Sequence, residues 1–117
     1  ISMAPIQSSI QFDVPGMGGF KYKDLMISNE GKLINYLNVQ SYIDFSLVAF
    51  EQMINNGYVP NIINMGMISS QNINKCCEEI KKIKKKYPNV GGVYNWEYFD
   101  AKPSSKEWCM YMKQSLL

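Results

Sequence analysis

From Lys32 to Tyr42, "KLINYLNVQSY", apolar and polar positions alternate. Leu33, Leu37 and Val39 share one parity; Tyr36, Asn38, Gln40 and Tyr42 share the other. A period of two predicts a strand whose apolar face lies against helices. The next segment changes period. In "DFSLVAFEQMINNG", Phe45, Val48, Ala49 and Gln52 form a helical stripe that Phe50, Met53 and Ile54 widen. Asp44 is the expected N-cap and Gly57 the expected stop. A further strand follows at Asn61–Ile68. A second helix comes next, its stripe Ile73, Cys76, Cys77, Ile80, Ile83 and Tyr87. "NVGGVYNW", Asn89–Trp96, predicts another strand. The last helix opens on "SSKE", with Ser104 and Glu107 spaced as a capping box and Trp108, Tyr111 and Met112 as its apolar face.

Upstream, "ISMAP" reads as the end of a strand stopped by Pro5. A long irregular segment follows, marked as loop by Pro15, Gly16, Gly18 and Gly19, with a short helical turn in "KYKDLMI". The order is then strand, loop, strand, helix, strand, helix, strand, helix. Such alternation predicts an α/β fold with parallel strands joined by helical crossovers. The pattern leaves an open sheet and part of a closed barrel both standing.

Functional residues of parallel sheets collect at the carboxyl ends of the strands. Here those ends are Met3-Ala4-Pro5, Gln40-Ser41-Tyr42, Gly66-Met67 and Trp96-Glu97. They offer an amide, a phenol and an indole, and no Lys or Arg. A sugar, with hydroxyls at its rim and C–H groups on its faces, suits that lining; a phosphate does not. Asn38, Gln40 and Tyr42 are an unusually polar set for the inner face of a strand.

Composition narrows the chemistry. The 117 residues are 46% hydrophobic and 19% charged, as in a globular domain, and the net charge of +2 is too small to argue for nucleic acid. No apolar run reaches the roughly 20 residues of a membrane-spanning helix. The absence of histidine excludes Ser-His and Cys-His catalysis within these residues. Cys76, Cys77 and Cys109 show no Cys-x-x-Cys spacing, so neither a zinc site nor a disulfide framework is expected. No cofactor is called for.

Four motifs, "ISMAP", "LNVQSY", "IINMGM" and "GGVYNWEYFD", occur in the order and spacing of the last four strands of family 18 glycoside hydrolases, the chitinase family. The second resembles that family's "VQFY" strand and the third its "LGLP" strand. The fourth resembles "GGVMxWS", with Tyr94 for methionine and Glu97 for serine. The resemblance spans Ile1 to about Asp100. It implies a partial TIM (β/α)8 barrel in which residues 1–117 are strands five to eight. Trp96 would floor the sugar subsite beside the scissile bond, and Tyr42 would hold the substrate acetamido group. Gln40 and Met3 would complete the sugar contacts. The implied partner is chitin or an N-acetylglucosamine oligosaccharide, and the implied location is extracellular. In this family the acetamido oxygen itself attacks the anomeric carbon, and a protein glutamate protonates the leaving oxygen. That glutamate ends a D-x-x-D-x-D-x-E run, which is absent here: the aspartates are only Asp13, Asp24, Asp44 and Asp100. A whole barrel needs roughly 250 residues, so the acid is expected in a missing N-terminal half. This segment alone is not expected to hydrolyse chitin.

Plainer readings stand beside each of these. Trp96 could pack a core, and Tyr42 with Gln40 could be a hydrogen-bonded pair closing the sheet's end. Glu97 follows the inward Trp96, so parity turns it to the surface. "KKIKKK" lies opposite Ile80, Ile83 and Tyr87 and reads as a solvated helix face. "PGMGGF" fails the dinucleotide pattern at Lys21. Cys76 and Cys77 fit the buried stripe, and the eight methionines read as core filler. A non-catalytic sugar-binding barrel, or a small open α/β protein binding another ligand, would share most of these features.

Overall fold

Four short strands pair in parallel in the order of the chain: β1 (Ser2–Met3), β2 (Tyr36–Val39), β3 (Ile63–Ile68) and β4 (Gly92–Trp96). The structure is a computed structural model and describes residues 1–117. Helices α1 (Ser8–Gln11) and α2 (Tyr22–Ile27) lie between β1 and β2. Then α3 (Leu47–Asn55) precedes β3, α4 (Ile73–Lys86) precedes β4, and α5 (Ser105–Leu116) closes the chain. No helix is long and apolar enough to cross a membrane.

The two faces of the sheet are unlike. Register sets Leu37 opposite Ile63, and Val39 opposite Met65, which in turn faces Val93. Leu37, Val39, Ile63 and Met65 are fully buried in one core with Phe50 and Met53 of α3, Ile80 and Ile83 of α4, and Trp108 and Met112 of α5. Removing each such side chain from water contributes roughly 1.5–3 kcal/mol, so stability is concentrated on the helical side of the sheet. The opposite parity carries Asn38, Asn64 and Tyr94, and Asn64 Nδ2 donates to Asn38 Oδ1 at 3.0 Å. With strands in chain order, β1 and β4 are the sheet's edges.

The α4 stripe packs as the sequence predicts. Cys76, Cys77, Ile80 and Ile83 are buried. Burial, then the neighbouring Cys77 and Glu79, pushes the Cys76 thiol up to about 11, so it packs as a protonated side chain. Most of the lysines of "KKIKKK" point to solvent; Lys82 pairs with Glu79 at 2.6 Å, and Lys86 pairs with Glu51. Half of the expected capping box on α5 forms: Glu107 N donates to Ser104 Oγ at 3.2 Å, while the Glu107 carboxylate accepts from the Ser104 hydroxyl at 2.7 Å and not from the Ser104 backbone N–H.

Several boundaries move. The strand predicted from Lys32 begins at Tyr36, because Glu30–Leu33 is a 3-10 turn that leaves Leu33 62% exposed. Gly31 dictates this: a Cβ there would lie 2.0 Å from the Leu25 carbonyl oxygen, so the turn is pressed onto α2. The N-cap of α3 is Ser46, whose Oγ accepts from Ala49 N at 3.1 Å; Asp44 is instead gripped by Gln7. Val48 and Tyr111, assigned to apolar stripes, are exposed. Gly57 does stop α3, at a φ of +107° that favours glycine. The long segment after β1 is less irregular than expected. Its α1 is tied to α3 by Gln11 Nε2 donating to Gln52 Oε1 at 2.6 Å and by Asn56 Nδ2 donating to the Ile10 carbonyl at 3.0 Å.

Glu79 joins α4 to the start of α3 by accepting from Leu47 N at 2.7 Å. Burial alone would raise its carboxyl; hydrogen bonds from Lys82 and Leu47 outweigh that and hold it below the ordinary 4.5. A depressed folded value contributes stability that is present above the unfolded pKa and lost as pH falls through the folded one. Urea midpoints of the wild-type chain should therefore fall on acidification below about pH 4.5, and Glu79→Gln should flatten that slope. An unchanged slope in the variant would remove Glu79 from the acid transition.

Candidate functional site

At the carboxyl ends of the strands a hollow of about 430 Å³ is lined by Ala4, Asn38, Gln40, Tyr42, Tyr94 and Trp96. None of the six is charged. Ala4 follows β1, Gln40 and Tyr42 follow β2, and Asn38, Tyr94 and Trp96 lie within strands on the face away from the helices. Trp96 is 64% exposed. Within these 117 residues the indole packs against no core and borders the hollow.

Two glutamines outside the hollow fix the loop that carries Tyr42. Gln7, itself buried, donates from Nε2 to the Asp44 carbonyl at 2.6 Å and accepts from Asp44 N at 3.1 Å. Gln71 donates to the Ser41 carbonyl at 2.9 Å and accepts from Ile68 N at 2.9 Å. The backbone is thus held on both sides of Tyr42, by the loop after β1 and the loop after β3. Ser41, between them in function, buries its hydroxyl against Met65 Sδ at 3.3 Å. Such support fixes a site before any ligand arrives.

The sequence-predicted residues divide. Tyr42, Gln40 and Trp96 are brought together around the hollow. Gln40 does not pair with Tyr42; its Nε2 donates to the Ala4 carbonyl at 2.7 Å, leaving Oε1 as its remaining acceptor. Met3 lies outside the lining. It packs against the core, and Ala4, one residue on and of opposite parity, lines the hollow instead. Glu97 is exposed outside the lining, with its carbonyl accepting from Asn95 Nδ2 at 3.0 Å. Asn38 and Tyr94 join the site unassigned by sequence. Tyr94 was marked by its parity with Trp96 and by Gly66, its partner in the β3–β4 register. Burial, and after it the neighbouring Tyr42 hydroxyl, pushes the Tyr94 phenol well above its ordinary 10.

Comparison with known proteins bears on this arrangement through the fold. No protein-family description and no curated protein sequence matches the chain. Among solved structures, a fungal endo-β-N-acetylglucosaminidase from glycosyl hydrolase family 18 superposes with a TM-score of 0.82 at 23% identity, covering 99% of this chain and 44% of that one. A chitinase, ChiC, from Aspergillus fumigatus superposes with a TM-score of 0.77 at 21% identity, covering 100% of this chain and 47% of that one. The fold is half of a β/α-barrel. At these identities the likeness is one of backbone, and the chain spans less than half the length of either protein. The half-barrel's open edges, β1 and β4, are then the two places where a complete ring would continue. Its hollow lies at the end of the barrel where such folds place their chemistry.

Proposed function

We propose that the hollow binds one N-acetylglucosamine residue of a β-linked polymer, chitin or a chito-oligosaccharide. The observation that supports this best is the exposed indole of Trp96 sharing one uncharged hollow with the Tyr42 phenol. A sugar ring presents C–H groups that stack on an indole, and the phenol is a donor for the acetamido oxygen. Gln40 Oε1 and the amide of Asn38 supply the hydroxyl contacts. A volume of about 430 Å³ falls within the usual span of small-molecule sites.

The site suits the substrate-assisted chemistry of the proteins this half-barrel resembles. There the substrate acetamido oxygen displaces the leaving group, so a phenol holding that group contributes by positioning it for attack. The acidic run that would supply the proton is absent from these 117 residues. In this reading the segment provides the sugar floor and the acetamido contact, and the acid lies elsewhere. The same uncharged hollow would equally serve a barrel that binds sugar without cleaving it. Release of reducing ends from chitotetraose by the protein would favour the hydrolase, and binding without release the sugar-binding barrel.

Calorimetric titration with chitotetraose tests the site itself. Tyr42→Phe deletes one hydroxyl and should weaken binding about fivefold, the worth of one hydrogen bond between neutral groups. Equal affinity in the variant would remove Tyr42 from the acetamido contact, and no binding by the wild type would end the sugar reading.

A further inference from the structure

β2 and β3 part at the mouth of the hollow. No register pair joins them beyond Val39 and Met65, while β3 runs on beside β4 as far as Ile68, opposite Trp96. One side chain spans the gap. Gln71, two residues short of α4, folds back onto Ile68. Its backbone N–H donates to the Ile68 carbonyl at 3.1 Å, and its Oε1 accepts from Ile68 N at 2.9 Å. Held in this way, its Nε2 donates across to the Ser41 carbonyl at 2.9 Å. The amide thus gives a donor to one strand end and an acceptor to the other, as a peptide group of a continuing ladder would. The next residue, Asn72, caps α4 by accepting from Lys75 N at 3.1 Å, so the chain that carries the amide is itself anchored.

We propose that Gln71 is a positioning residue that fixes the Tyr42 phenol at its distance from the Trp96 floor. This deepens the sugar reading above and rests on it. Ile68 is the register partner of Trp96, and Ser41 immediately precedes Tyr42. A single amide therefore lies between the backbone of the floor and the backbone of the phenol. Gln71 is not in the lining of the hollow, so it acts through Tyr42 and not on the sugar. Gln7 holds the same loop at Asp44, from the chain after β1, and sets no distance to β4. Ser41 is fully buried, so its carbonyl has no water to replace the Gln71 donor. Loss of that donor obliges the loop to move until the carbonyl finds another partner, and Tyr42 moves with it.

The test is a double-mutant cycle, read by calorimetric titration with chitotetraose. Gln71→Leu keeps most of the bulk and should weaken binding about fivefold, although residue 71 lines no part of the hollow. In the Gln71→Leu background Tyr42→Phe should cost less than about twofold, against about fivefold in the wild type, because the hydroxyl is no longer held where the sugar meets it. A merely structural role would lower the thermal midpoint and leave the cost of Tyr42→Phe unchanged. Gln71→Glu retains an acceptor for Ile68 N–H but has no proton for the Ser41 carbonyl at neutral pH, and should weaken binding at least as much as Gln71→Leu. If the wild type binds chitotetraose and Tyr42→Phe costs the same in both backgrounds, the role of Gln71 is overturned while the sugar reading stands. Wild-type affinity in Gln71→Glu would overturn it equally. If the wild type binds no chitotetraose, both fall together.

Discussion

Trp96→Ala should nearly abolish chitotetraose binding, with a loss of about 2 kcal/mol or more, roughly thirtyfold in Kd. The indole is the largest apolar surface in the hollow, and no other lining residue can replace its face. Because Trp96 is 64% exposed, its truncation empties no core, and the thermal midpoint should stay within about 1 °C of wild type. Trp96→Phe should recover part of the affinity, since a smaller ring still stacks. The chain's other tryptophan is the internal contrast: Trp108 is buried among Met67 and Met112, so Trp108→Ala should lower the midpoint sharply. Titration calorimetry and thermal melts on the three variants separate floor from core. An affinity in Trp96→Ala within about twofold of wild type would show that the sugar does not lie on the indole.

The contrast between the two tryptophans also shows what a sequence discloses. Trp108 sits in a 3.6-residue stripe behind a capping box, and both local signals agree with its burial. Trp96 ends an apolar run, where floor and core look alike until the neighbouring strand ends are in place. Alternation along "YLNV" was enough to put Leu37 and Val39 on the helices and Asn38 on the other face. It failed at Leu33, because the contact that bends the chain there, Gly31 against the Leu25 carbonyl, joins residues whose packing no period records. Asp44 was a sound N-cap by type; Gln7, far away in sequence, takes its backbone and leaves the cap to Ser46. Met3 and Ala4 are one residue apart, which in a strand reverses the face, so Ala4 lines the hollow and Met3 packs against the core. Tyr94 shares its parity with Trp96, which the sequence shows, but the Gly66 opposite it, which leaves room for the phenol, comes only from the register of β3 and β4.

Phe50→Ala should be the most destabilising single truncation among these, by about 3–5 kcal/mol. Phe50 is fully buried, and its ring lies 5.3 Å from that of Tyr87 at 53°, so α3 is pinned to the end of α4. The Tyr87 hydroxyl reaches the half-buried Glu51 only at 3.4 Å, and the Glu51–Lys86 ion pair lies at the surface, so both contacts are of small worth. The aromatic pair carries the joint. Against a typical net stability of about 5–15 kcal/mol, the loss is large. Urea titration should show an earlier midpoint for Phe50→Ala. Phe99→Ala, at a residue 91% exposed, should stay within about 0.5 kcal/mol of wild type. A Phe50→Ala loss as small as that of Phe99→Ala would mean that the sheet is held by something other than the helices on its apolar face.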